Sequence, residues 1–415
     1  MHPRVLLLSQ RGISDQVANA CLYDFEDLVC DLDQVDLFAP TAPHIHPGRM
    51  YKLGRLLRAP KTLSQSVAFA KHEFEPKHDY DVLFVVLDNY RQVTSLHSIK
   101  AWRQRCHKVI CFFPEIYPKD YLHHNAILEL FEDFDHIFIG VQHGIEKLAK
   151  IIGKPCSNLH PGVNALQFYP NLATPRGIDV CYIGRRSGIT HRALSDLASA
   201  KDLFYYYDTA KGGFRVGDHV AHRRLYANLV RRSRYFIVNY GKIDQPDKTG
   251  GAQEAGYRFF EGVAGGAVMI GKPPDTAVFR RLFDWPDAVV EAPFDAPEIG
   301  ALIAELDADE KRVARIRRDN VVNALRRHDW VYRYREMLAA VGLEPSPNMV
   351  AREEALEDLA RSIENGRNGE DCIDRSRTED HWATQGASAE ADGASGRTSV
   401  PTSTVPPAAT TSSPS

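Results

Sequence analysis

At 415 residues, 44% hydrophobic and 25% charged, the chain has the balance of a folded globular protein and the length of two ordinary domains, which excludes a fibrous or wholly disordered polymer. Its formal charge of −3 hides an uneven split: from Glu344 onward 6 Lys+Arg stand against 13 Asp+Glu, leaving the rest a mild +4, too weak an excess to argue for nucleic acid. No apolar run nears the roughly 20 residues of a membrane-spanning helix, and seven cysteines without a C-x-x-C pair give neither a disulfide framework nor a zinc ribbon.

The first apolar run, Val5 to Leu8, is shorter than a secretory core and reads as a buried strand. It points to a cytoplasmic protein with at most peripheral membrane contact. Strand candidates follow at Val35–Phe38, Val82–Leu87, Val109–Phe113 and His136–Ile139. They are β-branched and apolar on both faces, as parallel strands covered by helices are. Helical patterns fall between and after them, at Leu63–Glu75, Thr94–Arg105 and Gly144–Ile152. This βαβα order predicts a doubly wound sheet. Prolines and glycines then crowd residues 159–177, and alternation restarts. Strands are expected at Asp179–Ile183, Leu203–Tyr207, Tyr235–Asn239, Ala267–Ile270 and Ala288–Val290, with helices at His219–Ser233, Tyr257–Ala264 and Ala296–Leu306. One long helix is expected from Asp309 to Val341, and a short amphipathic one over Glu353–Ile363. The domain reading is therefore α/β throughout. The expected division is a first Rossmann-like domain over residues 1–160, a linker over 161–177, a second Rossmann-like domain over 178–325, a closing helix over 326–344, and an acidic, then Ser/Thr/Pro-rich tail over 345–415, largely disordered.

The window Gly250 to Gly271, GGAQEAGYRFFEGVAGGAVMIG, carries the most chemistry. Gly250 and Gly251 lead into a helix opening near Tyr257, whose free N–H groups and dipole suit a phosphate. Arg258 in the first turn adds a charge-assisted donor. Glu261, three residues on, can accept two adjacent ribose hydroxyls, or simply pair with Arg258 as an exposed i,i+3 ion pair.

The segment Arg258–Val268 resembles the R-x-x-E-x-x-A-x-G-x-x-V pattern of GT-B glycosyltransferases of the group 1 superfamily, in the branch that includes spore-maturation-type bacterial enzymes. His160–Pro170 resembles that family's interdomain phrase, Asp179–Arg192 its first donor-domain strand and loop, and His328–Leu338 its closing helix. The resemblance implies a GT-B fold: two Rossmann-like domains facing a cleft, with a nucleotide-diphosphate sugar on the second. It implies that Gly184, Arg185 and Arg186 approach the donor phosphates, that Glu261 is the second of the family's paired glutamates and contacts ribose, and that transfer retains anomeric configuration. The first glutamate's place is held by Gln253, with Glu254 shifted by one.

On the acceptor side, Arg11 and Gly12 end the first strand and can face the cleft or form an ordinary turn. Glu115 after VICFFP is a candidate base or a solvated loop carboxylate, His143 a cleft residue or a helix cap, and Asp88-Asn89 sit at an equivalent edge. Catalytic candidates are thus Glu115, His143 and Glu254. Asp31/Asp33 and Asp307/Asp309 match a D-x-D metal motif but are set aside as chance. The pairs His44/His46 and His123/His124 and the run His219–His222 lack a third ligand, and the arginines at 223, 224, 231, 232 and 234 read as a solvated helix face. No metal or other cofactor is expected, cationic side chains taking the metal's place. The expected activity is glycosyl transfer from a nucleotide sugar to a glycan, lipid or protein acceptor, with no nucleic acid partner. A nucleotide-sugar epimerase on the same fold and a catalytically degenerate binding or assembly protein are the rival readings. A periplasmic-type receptor is disfavoured.

Overall fold

The computed structural model describes residues 2–40, 73–121, 128–200, 202–209 and 215–366. The expected helix at Leu63–Glu75 falls largely outside them, as do the histidine pairs at 44/46 and 123/124 and the tail beyond residue 366.

Two parallel sheets organise the chain. The first contains β1 (Val5–Leu8), β2 (Val35–Phe38), β3 (Tyr80–Val86), β4 (Cys106–Phe113), β5 (His136–Ile139) and β6 (Cys156–Asn158), in the order β2-β1-β3-β4-β5-β6. The second contains β7 (Ile178–Tyr182), β8 (Tyr205–Tyr207), β9 (Ser233–Asn239), β10 (Val268–Lys272) and β11 (Val290–Glu291), in the order β11-β10-β9-β7-β8. Every pairing in both sheets is parallel. Alternate residues of the central strands, such as Leu83, Val85, Val109, Cys111 and Phe113, point into one core, and Val180, Tyr182, Tyr235 and Ile237 into another. Residues between them, Phe84 and Phe112 among others, are equally buried on the opposite face. That two-sided burial is why the strands read as continuous apolar runs.

The helices that matter for the site are α1 (Ala20–Leu32), α2 (Ile145–Ile152), α3 (Gly188–Ser199), α4 (His219–Arg231) and α5 (Tyr257–Ala264). The chain ends in α6 (Ile299–Ala308), α7 (Glu310–Arg327), α8 (Trp330–Ala340) and α9 (Pro347–Glu364). The strands and helices follow the expected order, with one added edge strand, β6, and three departures among the helices. The pattern at Thr94–Arg105 is a 3-10 stretch, Tyr90–Ser98, then a short turn of helix at Trp102–Arg105, because Ala101 takes a left-handed φ of 51° between them. The expected single helix from Asp309 to Val341 is broken at His328-Asp329. There Val163 of the linker pairs with Asp329 in a parallel bridge, its N–H donating to the His328 carbonyl while Trp330 N–H donates back. The Asp329 side chain caps α8 through the Val331 N–H at 2.9 Å.

The third departure concerns the segment read as tail, which opens with the 18-residue α9. Pro347 at its start and Ser346 as N-cap set the helix, and Met349, Leu356, Leu359, Ala360 and Ile363 are buried. Arg326 of α7 pairs with Glu357 and Glu364, and Ser346 hydroxyl donates to the Leu32 carbonyl at the end of α1. Helix α8 likewise returns to the first half. Trp330 stacks on Phe25 at 4.3 Å, and Tyr334 hydroxyl donates to Asp33 at 3.1 Å. The linker glycine at 162 is fixed by this packing, since a Cβ there would lie 2.7 Å from the Trp330 ring. Among the described residues no helix is long and apolar enough to cross a membrane.

Candidate functional site

In a parallel sheet the place where successive connections leave in opposite directions opens a crevice at the carboxyl ends of the strands. In the second sheet that place lies between β7 and β9, because the chain goes from β7 outward to β8 and then crosses to β9. The residues leaving these two strands are Gly184-Arg185-Arg186 and Tyr240-Gly241-Lys242. Gly184 has φ of +93°, and a Cβ on it would lie 3.9 Å from Arg258 Nη2, so the loop and the first turn of α5 meet.

Each cation here has a carboxylate. Arg185 Nη1 reaches Asp244 at 3.1 Å. Arg186 pairs with Asp208, whose carboxylate also accepts the Gly184 N–H at 3.1 Å. Arg258 Nη1 donates to Glu261 at 2.8 Å and to the Tyr226 hydroxyl at 2.8 Å. Gly250 (φ +65°) and Gly251 (φ +81°) end the short helix Pro246–Thr249, both in the left-handed region. The chain then runs without regular structure to Gly256, the N-cap of α5, and Tyr257.

Glu261 pairs with Arg258 as one reading expected, but buried rather than exposed: it is 1% exposed and both its oxygens accept hydrogen bonds. Oε1 accepts from Arg223 at 2.6 Å, and Oε2 from Arg258 and from Tyr226 at 3.0 Å. Burial alone would raise its pKa, but Arg223 and Arg258 outweigh burial and hold it below the ordinary carboxylate value. Burial likewise opposes the charge on Arg223, and Glu261 and Asp24 outweigh it, raising its pKa above the ordinary arginine value. The expectation of a solvated face fails at Arg223, which is buried and reaches Asp24 of α1 at 3.4 Å. The register explains it. Asp24 and Asp27 lie three apart on α1, and His219 and Arg223 four apart on α4, so facing turns match, with His219 Nε2 2.7 Å from Asp27.

The three catalytic candidates converge from different elements. Glu115 follows β4, His143 follows β5, and Glu254 lies in the loop before α5. Glu254 Oε1 accepts the His143 backbone N–H at 2.9 Å, so the loop of the second half reaches the start of α2 in the first. Burial raises the Glu254 pKa against the opposing backbone N–H groups of His143 and Gln142. Gln253 turns the other way and accepts the Asp275 N–H at 2.8 Å. The one-residue shift in the glutamate pattern therefore swings a carboxylate across to the other half. His143 does not cap α2; Gly144, at φ +89°, occupies that position, and a Cβ at Gly250 would lie 3.8 Å from the His143 ring.

Arg11 and Gly12 follow β1, beside the switch point of the first sheet between β1 and β3. Arg11 donates to Glu26 at 2.9 Å and to Asp27 at 2.8 Å. Glu26 is fully buried, and burial, only partly offset by Arg11 and Ser9, pushes its pKa up to about 7. Gly12 packs against the chain, for a Cβ would meet the Pro40 carbonyl oxygen at 2.3 Å. Asp88 accepts from Asn19 at 2.8 Å, and Asn89 caps the following turn. The D-x-D aspartates have structural duties: Asp33 binds Arg4, Asp307 pairs with Arg234, and Asp309 caps α7.

Sequence reasoning missed Lys242. It lies just beyond β9 with φ of +54°, its ammonium 2.7 Å from Glu115 and 4.7 Å from the Tyr117 ring centre. A lone loop lysine carries no pattern; only its place beside the crevice distinguishes it.

Residues 185–339 match the family model described as "Glycosyl transferase-like". A search of curated proteins finds no sequence match. Among solved structures, HepE of Anabaena, in complex with UDP and glucose, is similar at 14% identity and a TM-score of 0.47, over 82% of this chain and 99% of that one. A glycosyltransferase from Rickettsia africae is similar at 12% and 0.45, over 81% and 97%. An alpha-glucosyltransferase in complex with UDP and a 13-mer DNA containing an HMU base is similar at 12% and 0.49, over 82% and 100%. These likenesses are loose, and the two-sheet architecture stands on the chain's own strand pairings.

Proposed function

From the glycosyl-transferase-like character of residues 185–339, we propose that the protein transfers a sugar from a nucleotide diphosphate to an acceptor hydroxyl. The observation that carries this reading is the meeting of the Gly184 loop, Arg258 and the start of α5 at the switch point of the second sheet. Arg185, Arg186, Arg258 and the first N–H groups of α5 are the groups that would receive the diphosphate and stabilise it as it leaves. Glu261 serves this site chiefly by holding Arg258 in place; a ribose contact would have to displace Tyr226 or a guanidinium. The acceptor would approach from the first half, where Glu115 and His143 stand opposite Glu254. The protein's main contribution is then positioning and electrostatics. Transfer with retention is the stereochemistry the sequence resemblance favours.

The test is a thermal-shift panel of UDP, GDP and their sugars, followed by mass spectrometry of products. One nucleotide series should raise the melting temperature, and free nucleoside diphosphate should accumulate only when an acceptor is supplied. A changed sugar without diphosphate release would support an epimerase. A folded protein that responds to no nucleotide would support a binding module.

A further inference from the structure

Four cations stand near the proposed donor crevice, and three of them pair within the second half: Arg185 with Asp244, Arg186 with Asp208, Arg258 with Glu261. Lys242 differs. Its carboxylate is Glu115, which follows β4 of the first half, so this pair ties the halves together across the strand ends. The lysine also sits in a left-handed backbone conformation, φ +54°, that disfavours a non-glycine residue. Such an outlier beside a ligand crevice points to a side chain held where it is needed.

We propose that the Lys242–Glu115 ion pair is a substrate-displaced latch, in which the donor's diphosphate takes over the Lys242 ammonium and Glu115 is released to the acceptor side. The inference rests on the donor reading above and adds to it a residue and an order of events, donor before acceptor. The chemistry favours exchange. The pair is partly open to water, with side-chain exposures of 24% for Lys242 and 42% for Glu115, and ion pairs so placed contribute little. A diphosphate offers more negative charge and more acceptor oxygens than one carboxylate, and an ammonium has three donors to give it. Once released from the lysine, Glu115 keeps the Tyr117 side chain as a hydrogen-bond partner and has Glu254 as a neighbouring carboxylate. The pair thus withholds both partners: an ammonium from the donor diphosphate and a carboxylate from the acceptor.

The account predicts opposite signs for the two partners, as charge alone would, and also a coupling between the two substitutions, which independent charges would not show. Glu115→Gln removes the competitor and should tighten nucleoside diphosphate binding by up to about fivefold. Lys242→Met removes a charge-assisted contact and should weaken it by roughly ten- to a hundredfold. The gain from Glu115→Gln should be much smaller in the Lys242→Met background than in the wild type, because the larger part of the Glu115 effect acts through the lysine. The measurement is calorimetry with UDP and GDP on the full chain. Binding by Glu115→Gln that is unchanged or weaker than wild type overturns the latch, and so does an equal Glu115→Gln gain with and without the lysine. Should Lys242→Met fail to fold, Lys242→Gln takes its place in the same cycle. A wild-type protein that binds neither nucleotide overturns the donor reading itself, an outcome distinct from normal binding that the two variants leave unchanged.

Discussion

Replacing Glu261 with alanine is expected to lower the unfolding free energy by about 3–5 kcal/mol. The carboxylate is 1% exposed and is the shared acceptor for Arg223, Arg258 and Tyr226. Its removal strands Arg223 in a buried setting with only Asp24, at 3.4 Å, as a remaining acid. It also frees Arg258 from the position that brings it beside Gly184. Stability and nucleotide affinity should therefore fall together, in contrast to a simple ribose ligand, whose loss would spare the fold. Urea denaturation with an unchanged m-value reads the first effect and calorimetry the second. A stability loss below about 1 kcal/mol would show that the buried pairs are not maintained in solution.

A comparable loss, about 4–5 kcal/mol, is expected for Asp329→Ala. Asp329 is fully buried, and its two oxygens collect four donors: the Val331 N–H at 2.9 Å, the Ala165 N–H at 2.9 Å, and Arg352 Nε and Nη2 at 2.9 and 2.7 Å. One side chain thus caps α8, fixes the linker and anchors α9. Alanine removes the cap, worth about 1 kcal/mol, and leaves the largely buried Arg352 without its anion. The substitution Asp329→Asn, which keeps one acceptor oxygen and the shape, should recover part of the loss. Equal unfolding curves for wild type and Asp329→Ala would mean that the linker and last helices are not docked as described.

The strands were legible because both sheet faces are covered, so β1, β3, β4 and β9 read as unbroken apolar runs. The edge of the first sheet did not announce itself: β6, Cys-Ser-Asn, is only partly buried throughout and has no apolar signature. The break at His328-Asp329 was hidden because helical periodicity continues across it; what interrupts the helix is a bridge to Val163, 166 positions earlier in the chain. Within the site, Glu115, His143 and Glu254 are found from a local rule, that strand ends and the loops before helices carry chemistry. Their convergence depends on how the halves meet. Arg223 escapes sequence reasoning for the same reason: at helical spacing among other arginines it looks solvated, and only the facing helix α1 makes it buried. Periodicity reports the environment of an element and is silent about which distant element supplies it.

The claim on which the functional account depends is that a nucleoside diphosphate seats at the switch point of the second sheet. Amide hydrogen exchange with and without UDP or GDP, whichever stabilises the protein, tests it most directly. Protection is predicted over the loop at residues 184–188 and over residues 240–258. Protection confined instead to the ends of β1 and β3 in the first half, with those two segments unchanged, would contradict it.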